Sequence, residues 1–322
     1  MLNVALIGNH SVPHSTETHL ANAWEANGHD VARIQEAPSA WRHMAERIPD
    51  DVQLVQWVTT YDYAPPVTYD DQRRFLKEIR NRGVPIIGTH LDRWWGLDRE
   101  HRIRESPFFT VDLLATADGG HNAQWAEVGI EHVWMPPGVS EAECEPGTFR
   151  EDFSSDVAFV GSWQGHYHRE WPHRGQLVRW LRETYGTRCR FWPAKGQPAV
   201  RGEALRDLYA TVKVLVGDSC LAGGQTRYAS DRIPETLGRG GFLIHPHVEG
   251  VTDGRLYSDG QHLLTWHVGD WSSLRDLIDG SLRYDSTRER VAELGRRHVL
   301  AGHTYEVRMR QLVAVLEQRG ML

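Results

Sequence analysis

The chain has 322 residues, longer than one typical hydrophobic core, so two domains are expected. Its 40% hydrophobic and 25% charged residues are those of a globular protein, and no apolar run approaches the ~18 residues that cross a bilayer. The net charge of −7 argues against a broad nucleic-acid-binding surface. Cys144, Cys189 and Cys220 are scattered and outside any Cys-x-x-Cys spacing, which points to a reducing, cytoplasmic setting and away from structural zinc.

Residues 2–7 form a continuous apolar run, the pattern of a parallel strand buried on both faces, and with no basic n-region or room for a signal h-region they are expected to be a first strand. The loop Gly8 to Ser15 follows, then a helix capped by Ser15 or Thr16 and stopped at Gly28, then a strand over Asp30–Ile34. This βαβ opening lacks Gly-x-Gly-x-x-Gly, which disfavours a nicotinamide or flavin enzyme. Further α/β units are expected from strands at Val52–Val58 and Val84–Gly88 around a helix over Tyr69–Arg82. Phe109–Thr116, a turn at Asp118–His121, a short helix ending at Gly129 and a strand at Val133–Met135 complete the first half. Ser140 to Ser155 is acidic, contains glycine and proline, and reads as a linker.

A second alternating series begins with a strand at Asp156–Val160 ending in Gly161 and Ser162. A helix over Gln176–Tyr185 and a strand at Cys189–Trp192 follow. Leu205, Leu208, Tyr209 and Val212 mark an amphipathic helix, and Lys213–Gly217 a buried strand. Within Tyr228–His245, Ser230 or Asp231 can cap a short helix with Pro234 in its first turn, Gly238–Gly241 stops it, and Phe242–Ile244 is a strand. Such a helix start offers backbone N–H groups and the Arg232 cation to a phosphate, and the Glu235 carboxylate to sugar hydroxyls. A strand at His262–Trp266 and helices over Trp271–Leu282, Ser286–Ala301 and Tyr305–Arg319 end the chain.

The run Ser230–Ile244, then Glu249-Gly-Val, Tyr257, Asp259-Gly and Trp266, resembles the nucleotide-sugar half of GT-B glycosyltransferases, in particular the spore-maturation-type, group 1 family. Arg288–Gly295 and His303–Arg308 continue the likeness, which spans about residues 155–320. It implies an α/β GT-B fold: two Rossmann-like domains facing a central cleft, residues 1–145 on the acceptor side and 155–302 on the nucleotide-sugar side. A C-terminal helix over 303–322 is expected to pack back on the first domain. The implied activity is retaining, metal-independent transfer of a sugar from a nucleoside-diphosphate sugar to a hydroxyl of a protein, glycan or small molecule, with no permanently bound cofactor.

Carried over to this chain, Glu235 takes the ribose hydroxyls, with Thr236 beside it, and Arg232 contacts diphosphate or ribose. Gly161 and Ser162 form the glycine loop facing the diphosphate, and Arg169 or Arg174 neutralises it. Lys195, in the turn Pro193-Ala-Lys195-Gly196, is a candidate to border the nucleobase or phosphate pocket; a solvated turn lysine is its structural alternative. Many relatives carry an acid eight positions before the ribose glutamate; here it is Arg227, which leaves the sugar contact to backbone N–H groups of Gly223–Tyr228. On the acceptor side, Asp92 follows an apolar strand directly and is a candidate to orient or deprotonate the acceptor; a helix cap is its structural alternative. His14 and His10 in the first loop are rival bases. His166, His168 and His173 have no third ligand fixed by spacing, so a metal is not expected. The rival functions are a nucleotide-sugar epimerase, a catalytically degenerate nucleotide-binding protein, and sugar transfer to modified DNA bases.

Overall fold

A computed structural model describes residues 1–59, 69–163, 171–220 and 226–322. They divide into two compact units, Met1–Pro136 with Tyr305–Leu322, and Pro137–Thr304.

The first unit is built on a six-stranded sheet of β1 (Asn3–Gly8), β2 (Asp30–Gln35), β3 (Leu54–Val58), β4 (Ile86–His90), β5 (Leu113–Thr116) and β6 (His132–Trp134). The order is β2-β1-β3-β4-β5-β6 with every pairing parallel. Helices cover both faces, so the central strands are buried along their length. Against one face lies α1 (Thr16–Ala26), capped by Ser15, whose hydroxyl accepts from Thr18 N–H. Trp24 of α1 and Met309, Leu312 and Leu316 of the last helix, Tyr305–Gln318, share one core with Val4, Leu6 and Leu54. The other face packs α2 (Tyr69–Asn81) through Phe75, Leu76 and Ile79 onto a cluster holding Trp41, Trp57 and Phe108. Gln56, wholly buried in β3, accepts from Trp24 Nε1–H at 2.7 Å and donates to Thr89 Oγ1 at 2.8 Å, so its amide costs little inside the sheet. Short helices α3 (Arg102–Glu105) and α4 (Asn122–Glu127) complete this unit, with 3₁₀ turns over Pro38–His43 and Ala45–Arg47 that no apolar period announced.

The second unit has β7 (Val157–Val160), β8 (Cys189–Trp192), β9 (Val214–Val216), β10 (Leu243–Pro246) and β11 (Leu264–Trp266) in the order β11-β10-β9-β7-β8, again parallel. Its helices are α5 (Arg174–Tyr185), α6 (Gly202–Thr211), α7 (Arg232–Gly238), α8 (Trp271–Arg283) and α9 (Asp285–Gly302); Tyr305–Gln318 is thus α10. Residues 140–155, expected as a linker, fold onto α6 of this unit. Thr148 N–H donates to Asp207 Oδ1 and Arg150 N–H to Thr211 Oγ1, both at 2.9 Å. Backbone polar groups need partners, and here the polar stretch finds them on a helix instead of in water.

The three cysteines are buried, and Cys144 Sγ donates to Ser140 O at 3.5 Å. No helix of the described residues is long and apolar enough to cross a membrane.

Candidate functional site

In an open parallel sheet, ligands bind beyond the carboxyl ends of the strands where the strand order reverses. In the second unit that point lies between β7 and β9, whose first residues beyond the strand are Gly161 and Gly217. Arg232 lies against both. A Cβ on Gly161 would come within 3.4 Å of its Nη2, and one on Gly217 within 3.5 Å of its Cγ. Gly161 also has φ +151°, a conformation that favours glycine. The two glycines therefore admit the arginine to the edge of the sheet.

The start of α7 differs from expectation in one respect. Arg232 N–H donates to Ser230 Oγ at 3.3 Å, Ile233 N–H to Ser230 O at 3.2 Å and Glu235 N–H to Asp231 O at 3.1 Å, while Pro234 has no N–H. Ser230, not Asp231, supplies the side-chain cap. No backbone donor of that turn is left for an anion, so recognition falls to the side chains of Arg232 and Glu235. These lie 3.8 Å apart, each about a quarter exposed, and Arg232 Nη1 also donates to Tyr209 OH at 3.3 Å. Burial and the nearby Asp231 carboxylate push Glu235 up to about 7, against the pull of Arg232 and Arg201.

Beneath this pair, Arg174 Nε donates to Asp218 Oδ2 at 3.0 Å, with both side chains buried. Burial raises Asp218 against the opposing charge of Arg174. Arg174 also reaches Ser162 O at 3.5 Å and stacks on Trp171, its guanidinium carbon 3.9 Å from the ring centre. It ties the Gly161–Ser162 loop to the end of β9. Its expected role as a free phosphate cation is replaced by this internal pairing. Arg169, the other candidate, lies outside the described residues, as do His166, His168 and Gly223; His173 immediately precedes α5.

Thr236 has no exposed surface, and its methyl sits 2.9 Å from where a Cβ on Gly241 would be, so it faces the core beneath α7. Lys195 is exposed in a turn after β8, on the same sheet edge as Gly161. Arg227 has φ +56°, rare for a residue with a side chain; its N–H donates to Glu249 O at 2.7 Å and its stem lies against Gly250. Sequence reasoning missed Tyr209 and Asp218 as members of the site. The signal for Asp218 was present, a Gly-Asp pair closing a buried apolar strand.

On the first unit, Asp92 is exposed two residues beyond β4, its N–H donating to His90 Nδ1 at 2.9 Å. Its carboxylate has no partner among the described residues and caps no helix. His14 is exposed in the loop after β1, its ring 6.2 Å from that of His19. His10 is turned inward, Nε2 against Leu6 O at 3.1 Å, and burial lowers its pKa. Asp118 and His121, expected only as a turn, pair at the end of β5: His121 Nδ1 lies 2.9 and 2.8 Å from the two carboxylate oxygens.

Two parallel-sheet units, each with helices on both faces, are the Rossmann-like halves of the GT-B class of α/β proteins. Residues 155–314 match the family model described as glycosyl transferase-like, and the protein is a glycosyltransferase of GT-B fold. Similar solved structures are Anabaena HepE in complex with UDP and glucose, with TM-score 0.63 at 10% identity over 99% of this chain and 100% of that one. Sucrose-phosphate synthase from Thermosynechococcus elongatus gives TM-score 0.64 at 12% identity over 99% of both chains. An α-glucosyltransferase in complex with UDP and a 13-mer DNA containing an HMU base gives 0.68 at 8% identity, over 98% of this chain and 99% of that one. No curated protein matches the chain.

Proposed function

We propose that the protein transfers a glycosyl group from a nucleoside-diphosphate sugar, held on the second unit, to a hydroxyl of an acceptor held on the first. The observation that carries this reading is the Arg232–Glu235 pair at the β7/β9 switch point, seated by two glycines. Glu235 accepts the ribose hydroxyls and Arg232 faces the diphosphate, with the Gly161–Ser162 backbone alongside. Thr236, being buried, takes no part in that contact. Lys195 borders the same edge. A guanidinium already in place neutralises the charge that develops on the departing diphosphate, which makes the reaction independent of a metal ion. Asp92 and His14 orient the acceptor. Retention of the anomeric configuration, implied by the family resemblance, completes the proposal and is read from the anomeric proton of the product by NMR.

UDP is the nucleotide to test first, because HepE and the α-glucosyltransferase are described with it. The DNA in the latter complex supports glucosylation of modified bases as a second reading, but the net charge of −7 favours protein, glycan or small-molecule acceptors. Calorimetric titration of UDP in the presence of EDTA tests the donor site. The wild type binds, and Glu235→Ala weakens binding by about tenfold or more, the worth of hydrogen bonds to a charged group. Equal affinities would remove Glu235 from the donor site. Binding without consumption of any nucleotide sugar would make the protein a nucleotide-binding relative and not a transferase.

A further inference from the structure

The first unit holds a hydrogen-bonding device that the proposed reaction has not used. Asp118 lies two residues beyond β5 and is 1% exposed. Its two oxygens converge on His121 Nδ1, and the buried Arg93 guanidinium balances its charge, Nε 4.0 Å from Oδ2. A carboxylate at Nδ1 fixes the ring orientation and the tautomer, so the proton of the neutral ring sits on Nδ1 and Nε2 carries the lone pair. His121 Nε2 has no partner among the described residues, and the side chain is 15% exposed. Trp95 lies beside it, half-buried, the two rings inclined by 27° with centres 6.4 Å apart.

Ala117 N–H donates to His90 O at 3.3 Å, so the turn carrying the dyad is fastened to the end of β4, just ahead of Asp92, on the carboxyl edge of the sheet. Asp118 also accepts from Gly120 N–H at 3.3 Å and so caps the turn. Capping needs one oxygen and one backbone donor. It does not account for an imidazole gripped by both oxygens with its other nitrogen left to the surface.

We propose that His121, aimed by Asp118, accepts a hydrogen bond from a hydroxyl of the acceptor, with the face of Trp95 as the adjoining apolar wall. An aromatic face beside a fixed hydrogen-bond acceptor is the chemistry that recognises a polyhydroxylated ring, so the acceptor class is a sugar or sugar-like polyol. This rests on the transferase reading above and adds to Asp92 a second, recognition contact. His121 is the contact residue, and Asp118 acts through it as a positioning residue.

The test uses the full-length protein labelled with ¹³C at histidine Cε1, D-glucose as the acceptor probe and UDP-glucose as donor. D-glucose is expected to move the His121 resonance, assigned by its loss in His121→Ala, and to accelerate UDP release. In His121→Ala and Asp118→Asn the half-saturating glucose concentration rises about tenfold or more, as for loss of one oriented hydrogen bond. His121→Gln, which keeps an acceptor oxygen, falls between them and the wild type. Calorimetry of UDP on each variant checks that the second unit is intact. A His121 resonance indifferent to D-glucose, or a half-saturation unchanged in His121→Ala, overturns the proposal. So does a His121→Ala variant that only melts lower. Failure of the transferase reading looks different: no variant, nor the wild type, then releases UDP, while the resonance still reports on sugar binding.

Discussion

One aspartate in each sheet stands just past the end of a strand. Asp118 is two residues beyond β5 and Asp218 two beyond β9, both buried, both within reach of a buried arginine. Asp218 is closed: its oxygens go to Arg174 at 3.0 Å and to Ser219 N–H at 2.8 Å, and the pair binds two loops together. Asp118 is open: Arg93 stands off at 4.0 Å, and the carboxylate is directed at an imidazole that still has a nitrogen to offer. The same offset from a strand end thus holds a closed ion pair in one unit and an aspartate aimed at an imidazole in the other. Charge on a departing diphosphate is met by dipoles and cations held still, whereas a neutral hydroxyl is met by one oriented lone pair.

The largest expected effect breaks the closed member. Asp218→Ala leaves the Arg174 guanidinium buried without its partner, and about 3–5 kcal/mol of stability is lost. Urea unfolding followed by tryptophan fluorescence reads this, and a loss below about 1 kcal/mol would show that the pair does not fasten the site.

The next sharpens the comparison by charge. Glu235, raised to about 7, is largely protonated at pH 6 and ionised at pH 8, and only the ionised form accepts from both ribose hydroxyls. UDP affinity is therefore expected to rise about tenfold between those pH values beyond any change shared by Glu235→Gln. The sign for folding is the reverse. A carboxyl raised in the folded state costs nothing below the unfolded value, and its penalty grows as pH rises from there to about 7. The wild type should lose melting temperature relative to Glu235→Gln over that window; parallel curves would show that Glu235 is not perturbed.

The smallest effect probes how Arg232 is seated. Gly161→Ala places a methyl in a backbone region that favours glycine and against the guanidinium, at a cost of about 1 kcal/mol. Weaker UDP binding with Arg232 displaced in a crystal structure is expected, and unchanged binding would separate the glycine from the donor site.

Much of the architecture was legible because buried parallel strands are continuous apolar runs and the helices between them carry a 3.6-residue period. Leu54–Val58 and Val214–Val216 announce themselves that way, and Ser15 as a cap does so by its hydroxyl. Ser140–Ser155 did not, since its composition is that of a linker and only α6 shows where its backbone donors go. Asp118-Gly-Gly-His121 read as a turn; in a 3₁₀ turn residues i and i+3 eclipse, and that spacing was the missed sign of a dyad.

By itself, the sequence determined the αβ alternation, the two glycine-ended strands and the neighbourhood of Arg232 and Glu235, because these depend on residue type and on spacing within a few turns. Only the tertiary structure decided that the first-turn N–H groups of α7 are already satisfied, that Arg174 serves Asp218 instead of an anion, and that Thr236 is buried. The Arg174 pairing is a question of which distant group arrives first at a hydrogen-bonding atom, and the burial of Thr236 one of which distant strand packs under α7. Asp218 is 44 residues from Arg174, and no local periodicity carries that distance.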